Sequence, residues 1–172
     1  MTRTLACAAL LLMSIPGPAR AEGAAGLAFG AAAVHVASAE HELRPLVGLW
    51  GRLGFGRGGF AEVEASGTRR IEDGGVVQVD ERWARGALTV GCRTGPRALE
   101  VAVAVGPALT YRDTVVVGED RWRATALQAG VRYRAGLLLP LGRRWEVDLL
   151  FGGASRRRNH DQELVVQGGG RW

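Results

Sequence analysis

The sequence predicts an all-β protein: a single antiparallel, up-and-down transmembrane β-barrel of eight strands. Three observations predict it. Apolar and polar residues alternate with a period of two along nearly the whole chain; the connections alternate between short and long; and the charged residues gather on one side of the strands, balanced in sign. No segment has a helical period, and Gly is spread through the apolar runs at a density that would damage helices.

The elements follow in chain order. "MTRTLACAALLLMSIPGPARA" has Arg3 in a short leading segment, an apolar stretch from Leu5 to Ile15, a Pro/Gly break and Ala19-Arg20-Ala21 as a cleavage site. This reads as a secretory signal peptide over 1–21, because the apolar run is too short for the roughly 20 residues of a membrane-spanning helix. Cys7 lies at the start of that run, where it cannot serve as a lipid attachment site. The barrel domain is therefore expected over 22–172.

Strands are expected at 26–37, 45–56, 58–67, 77–93, 98–112, 122–139, 144–155 and 162–172. The first, within "GLAFGAAAVHVAS", is too rich in Ala for its faces to be assigned. In "LVGLWGRLGF", Val47, Leu49, Leu53 and Phe55 oppose Gly48, Trp50 and Arg52; after the turn "GRGG", Ala61, Val63 and Ala65 oppose Glu62 and Glu64. The fourth is ambiguous, because its even positions are polar at Gln78, Asp80 and Arg82 but apolar at Leu88, Val90 and Cys92. Either a bulge resets the alternation or the first part lies beyond the apolar layer. In "ALEVAVAVGPALTYR", Leu99, Val101, Val103, Val105, Leu109 and Tyr111 share one face. In the sixth, Leu127, Val131, Tyr133, Leu137 and Leu139 oppose Gln128, Arg132 and Arg134, and in the seventh Trp145, Val147, Leu149 and Phe151 oppose Glu146 and Asp148. In the last, Leu164, Val166, Gly168, Gly170 and Trp172 oppose Glu163, Gln167 and Arg171.

The short links "GRGG", "RTGPR" and "LGRR" fall at the end that holds both termini, and the longer "SAEHELR", "GTRRIEDGG", "DTVVVGED" and "RRRNHDQ" at the other. Membrane barrels have this asymmetry. Tyr111, Trp122, Trp145 and Trp172 fall near strand ends, at headgroup level, whereas Trp50 and Trp83 fit that placement less well.

One face of these strands carries no charge. The other carries Arg52, Arg112, Arg132, Arg134 and Arg171 with Glu62, Glu64, Glu100, Glu146 and Asp148. In a membrane barrel these ten would fill a narrow lumen as a closed ion-pair network, because buried charges need partners and Arg pairs bidentately with carboxylates. In the rival reading, a soluble periplasmic lipocalin-like barrel binding a small apolar ligand, the same charges would face water.

Composition excludes other classes. All 22 basic residues are Arg, and loss of residues 1–21 removes two of them from a formal +5, leaving +3, too little for a nucleic-acid partner. Cys92 alone stays in the barrel, which rules out an internal disulfide and a Cys-based metal cluster. His35 and Ser38 are three apart and face opposite sides of a strand; Ser155, His160 and Asp161 share an expected polar loop; and His160, Asp161 and Glu163 lack a closed metal-ligand set. "RLGFGRGG" has the glycine content of a phosphate loop without the following helix or Lys, and reads as a tight turn. No cofactor, metal or catalytic residue is expected, and the protein reads as a non-enzyme.

The signal peptide, the eight two-faced strands and the terminal "LVVQGGGRW" together resemble the small OmpA-like and OmpX-like outer-membrane barrels of Gram-negative bacteria. The resemblance implies residence in the outer membrane and a structural or surface-interaction role. It also implies recognition by the barrel assembly machinery through Leu164, Val166 and Trp172. Outer-membrane lipid is the implied surrounding, and the basic stretches "SRRRNHD" and Thr68-Arg69-Arg70 are candidates to meet lipopolysaccharide phosphates.

Overall fold

A computed structural model of the chain describes residues 22–35, 41–96, 98–156 and 160–172. Eight strands run in the order β1 (Gly23–His35), β2 (His41–Phe55), β3 (Gly59–Asp73), β4 (Gln78–Thr94), β5 (Glu100–Val117), β6 (Arg121–Leu141), β7 (Trp145–Arg156) and β8 (His160–Arg171). Each pairs antiparallel with the next, and β8 pairs with β1 to close the barrel. Closure leaves no free sheet edge around this common body. Gly23 and Trp172 complete the seam with reciprocal backbone hydrogen bonds of 3.1 and 3.0 Å.

Alternation is unbroken, and its sense is inverted relative to a soluble barrel. Leu49, Leu53, Val63, Leu88, Val103, Leu109, Leu127, Val131, Phe151 and Leu164 all face outward and are exposed, while Glu62, Glu64, Arg132, Asp148 and Glu163 are buried inside. On β5 the outward apolar positions run from Val101 to Tyr111. Ten residue steps at about 3.3 Å, tilted by about 40°, span roughly the 25 Å of a bilayer's apolar band.

The ambiguity in β4 has a simple resolution. Its pairing with β3 keeps one register from Gly59↔Cys92 to Asp73↔Gln78, so no bulge intervenes. Gln78, Asp80 and Arg82 are outward residues beyond the apolar band. The same extension corrects two expected loops. "GTRRIEDGG" and "DTVVVGED" are mostly strand, leaving only 74–77 and 118–120 as connections. Strand pairing needs matched backbone and compatible cross-strand neighbours, not an apolar face, so the hairpins continue after the apolar pattern stops.

The outcome is a barrel of uneven height. The β6–β7 pairing ends at Gly130↔Arg156 and the β2–β3 pairing at Val47↔Gly67. Past those points residues 68–73 of β3 pair only with β4 and residues 121–129 of β6 only with β5, so they are the two edges of a sheet of β3 to β6 that projects beyond the closed part of the barrel.

In β1, where the sequence left the faces open, Leu27 and Phe29 point outward and Ala24, Ala28 and Ala32 inward. These small inward residues make room for Trp50, whose Nε1 donates to the Leu27 carbonyl at 3.3 Å. The triple glycine of β8 divides the same way. A Cβ on inward Gly169 would stand 2.2 Å from the Ala25 carbonyl oxygen and 2.9 Å from the Trp50 ring, whereas on outward Gly168 or Gly170 it would meet nothing closer than 3.8 Å. Gly169→Val is therefore expected to destabilise the barrel by about 1–3 kcal/mol through forced displacement at the β1–β8 seam. Gly168→Val and Gly170→Val are expected to be neutral or stabilising by up to about 1 kcal/mol. Urea midpoints of the three variants in detergent check this, and equal losses would refute it.

Candidate functional site

The interior is the site. Arg52 on β2 lies centrally toward the tight-turn end. Its Nε and Nη2 donate to Glu62 Oε2 at 2.9 and 2.7 Å, Nη1 to Glu146 Oε1 at 3.1 Å, and Nη2 to Asp148 Oδ2 at 2.9 Å. The guanidinium is also held 5.0 Å from the ring centroids of both Trp50 and Phe60, a geometry suited to cation–π attraction. Gln167 Nε2 donates to Asp148 Oδ2 at 2.9 Å.

A second knot forms around Glu64 on β3. Arg134 reaches Glu64 at 2.5 Å and also pairs with Glu62, so it joins the two knots. Arg132 reaches Glu64 at 3.3 Å and Glu163 at 2.8 Å. Arg85 reaches Glu64 at 3.4 Å and Glu163 at 2.5 Å, and Ser66 Oγ donates to Glu64 at 2.9 Å. Nearer the projecting sheet, Arg44 meets Glu81 at 2.7 Å, Arg112 pairs with the same Glu81, and Arg156 pairs with Asp161. Seven arginines thus face seven carboxylates, which removes the net charge that would make burial prohibitive. Apolar clusters around Trp50, Leu150 and Val165, and around Phe60, Ala102 and Leu138, fill the rest. The lumen is closed by side chains.

All ten network residues named from the sequence lie on the inward face. Arg52, Glu62, Glu64, Arg132, Arg134, Glu146 and Asp148 share one contiguous cluster, and Arg171 joins it through Glu146 at 3.5 Å. Glu100 stands apart, paired with Arg93 at 3.5 Å near the tight turns, and Arg112 lies at the opposite end with Glu81. Sequence reasoning missed Arg44, Glu81, Arg85, Arg156, Asp161 and Glu163. Arg44, Arg156 and Asp161 fall in expected loops; Glu81 and Arg85 sit in β4, whose face is ambiguous in sequence; Glu163 is placed on the polar face of the last strand but not in the network. The parity of β4 from Leu88 back through Ala84 would have placed Arg85 inward.

Other expectations need correction. Ser155 and His160 are opposite one another on β7 and β8 instead of in a loop, and Asp161 faces inward, so the three do not line up as a triad. Glu163 and Asp161 are held by arginines, away from His160, and the described residues contain no metal-binding group of His, Cys, Asp and Glu. Ser38 and Arg157–Asn159 lie outside the described residues, and nothing is described of the His35 side chain. Trp145 and Trp172 are exposed, outward and at the tight-turn end, and Tyr111 closes the apolar run of β5. Trp122 belongs to the inward register near the tip of the projecting sheet, five residues past the Tyr111↔Leu127 pair, so it is not on the lipid face. Trp50 and Trp83 are buried in the lumen, the latter against Arg85 at 5.1 Å.

Directly past Tyr111 the outer surface turns charged. Arg69 donates two hydrogen bonds of 2.9 Å to Asp80, Arg82 adds two of 3.3 and 2.7 Å, and Arg123 donates two of 2.9 Å to Asp113. Hydrogen bonding from Arg69 and then Arg82 holds the Asp80 carboxyl below the usual aspartate range, and Arg123 does the same for Asp113. For groups lowered in this way, the stabilisation is fully present above the unfolded value and is lost only as pH falls through the folded one. The pairs are expected to persist at pH 5, and an NMR titration of Asp80 should give a midpoint below the reference of about 3.9. A midpoint at or above that reference would refute the arrangement.

Comparison with solved structures places this fold among small membrane barrels. The chain is similar to Ail, the attachment invasion locus protein of Yersinia pestis, with a TM-score of 0.70 at 13% identity over 89% of this chain and 99% of that one. It is also similar to the N-terminal β-barrel domain of Pseudomonas aeruginosa OprF, at TM-score 0.63 and 9% identity over 89% and 100% of the two chains. Neisserial surface protein A gives 0.63 and 10% over 90% and 98%. No family model matches the chain, and no curated protein sequence matches it. An apolar ligand cavity of the lipocalin kind is overturned, because the apolar faces point outward and the Arg/Glu faces inward. The fold is that of the small eight-stranded outer-membrane β-barrels.

Proposed function

We propose that this protein is a non-enzymatic outer-membrane barrel whose closed body anchors a surface-interaction element, the projecting β3–β6 sheet. The observation that carries the reading is the inverted polarity: an uncharged apolar exterior around a buried, charge-balanced lumen. Only a hydrocarbon solvent makes that arrangement favourable. Residues 1–21 would be removed as a signal peptide, leaving a barrel that starts near Glu22. Leu164, Val166 and Trp172, all outward on or just after β8, would be read by the barrel assembly machinery during insertion.

The projecting sheet offers two unpaired strand edges and carries Arg69, Arg82 and Arg123 just past the apolar band, where lipopolysaccharide phosphates lie. Arg matches phosphate oxygens in geometry as well as charge. Ail, similar in fold, has been crystallised with the heparin analogue sucrose octasulfate, which supports a polyanion as the class of partner for such a surface. Here Asp80 and Asp113 occupy much of the guanidinium capacity, so anion contacts at this belt are expected to be weak and salt-sensitive.

Gel mobility of detergent-extracted membranes, with and without boiling, tests the anchor. A compact species that requires detergent and shifts on boiling is expected. Recovery of the protein in the aqueous periplasmic fraction, without a shift, would overturn the reading.

A further inference from the structure

Arginine pairing is unevenly distributed over the molecule. Thirteen of the described arginines have a carboxylate partner: Arg44, Arg52, Arg69, Arg70, Arg82, Arg85, Arg93, Arg112, Arg123, Arg132, Arg134, Arg156 and Arg171. Four have none: Arg57, Arg121, Arg143 and Arg144, all exposed. Three of these four sit at the tight-turn end, Arg57 between β2 and β3, and Arg143 and Arg144 between β6 and β7. The acids near that end, Glu22 and Glu100, are already engaged by Arg93 and Arg171.

The surroundings of the three fit a lipid headgroup. Arg143 and Arg144 directly precede Trp145, which is outward and 62% exposed, and Arg57 follows outward Phe55 by two residues. Trp172, 70% exposed, lies on the same rim against Gly23. Amphipathic rings of this kind hold a protein surface at headgroup depth, so the guanidiniums beside them stand at the level of lipid phosphates and not deep in the periplasm. The rim also opens a cavity of about 500 Å³ lined by Glu22, Phe55, Arg57, Gly58, Arg93 and Glu100. Gly58 lies in its wall with φ of 116°, packed so closely that a Cβ there would lie 2.5 Å from the Arg93 carbonyl oxygen.

We infer that the tight-turn rim, through Arg57, Arg143 and Arg144, binds the phosphate of acidic glycerophospholipids in the leaflet facing the chain termini. This rests on the membrane-barrel reading above. Arginines at an anionic surface gain from phosphate approach and bidentate bonding, and a zwitterionic headgroup offers the same phosphate cancelled by its own cation.

The experiment is native mass spectrometry of the full barrel released from detergent, titrated with phosphatidylglycerol or phosphatidylcholine of matched acyl chains. The wild type should retain phosphatidylglycerol at least about tenfold better. The triple variant Arg57→Gln/Arg143→Gln/Arg144→Gln should lose that preference, while Arg121→Gln at the other end should keep it. Equal phosphatidylglycerol retention by triple variant and wild type would overturn the proposal. So would binding to insoluble murein that the triple variant loses while its lipid preference stays intact, since the cell-wall polymer would then be the partner. All variants are scored for the boiling shift: a shift with no lipid preference sinks this proposal alone, and no shift in the wild type sinks the barrel reading beneath it.

Discussion

Replacing Glu64 with Leu is expected to be the most damaging single change in the lumen, lowering stability by about 3–5 kcal/mol. Glu64 is within 2.5 Å of Arg134, 3.3 Å of Arg132 and 3.4 Å of Arg85, and it accepts a hydrogen bond from Ser66. Glu163 would still serve Arg132 and Arg85, and Glu62 would still serve Arg134. Three buried guanidiniums would nevertheless share two carboxylates, and the excess positive charge has no water to dissipate it. Urea unfolding in detergent micelles, followed by the boiling-resistant gel species, measures the loss. Glu64→Asp should retain part of the stability because it keeps the charge while shortening the reach. A loss below about 1 kcal/mol for Glu64→Leu would mean the knot is wet and screened, as surface pairs are.

Val105→Arg probes the opposite face and is expected to cost about 2–4 kcal/mol. Val105 is outward near the middle of the apolar run of β5, 51% exposed, with Val103 and Leu109 on the same strand face. In water, an Arg at an exposed strand position would change stability by no more than about 0.5 kcal/mol. In a bilayer the guanidinium must snorkel or drag water inward. Unfolding in phospholipid vesicles separates the two, and a neutral substitution would show that this face does not contact lipid. Arg82, outward on the neighbouring strand but past the apolar band, gives the internal comparison: Arg82→Gln should change stability little, because its pair with Asp80 is solvent-exposed.

The two substitutions locate what alternation can and cannot reveal. Period two assigns every residue of a strand to one of two faces, and it did so for Val105, Leu109, Glu62, Glu64, Arg132 and Arg134 without reference to any neighbour. Where the alternating chemistry changed partway, as at Asp80 and Arg82 on β4, the local pattern could not distinguish a bulge from a strand that outruns the membrane. The continuous β3–β4 register decides for the second. The loops bounded by polarity were too long for the same reason: in "DTVVVGED" the outward face is interrupted by Asp113 while the strand continues to Val117.

Partner choice in the lumen was not legible either. Arg85 and Glu163 are 78 positions apart in sequence, yet they meet at 2.5 Å because β8 and β4 face each other across the closed barrel. Glu100 has the same parity as Glu62 but, lying at the start of β5 near the tight turns, reaches Arg93 and stays outside the central cluster.

By itself the sequence determined the strand count, the up-and-down order of the hairpins and, outside β1 and β4, which residues share a face, because these depend on local periodicity and short-range turns. The tertiary structure alone decided how far each strand continues, which arginine meets which carboxylate, and that β3 to β6 go on as one sheet after the pairing that closes the barrel has ended. Those depend on register and closure, which are set by contacts between residues far apart along the chain.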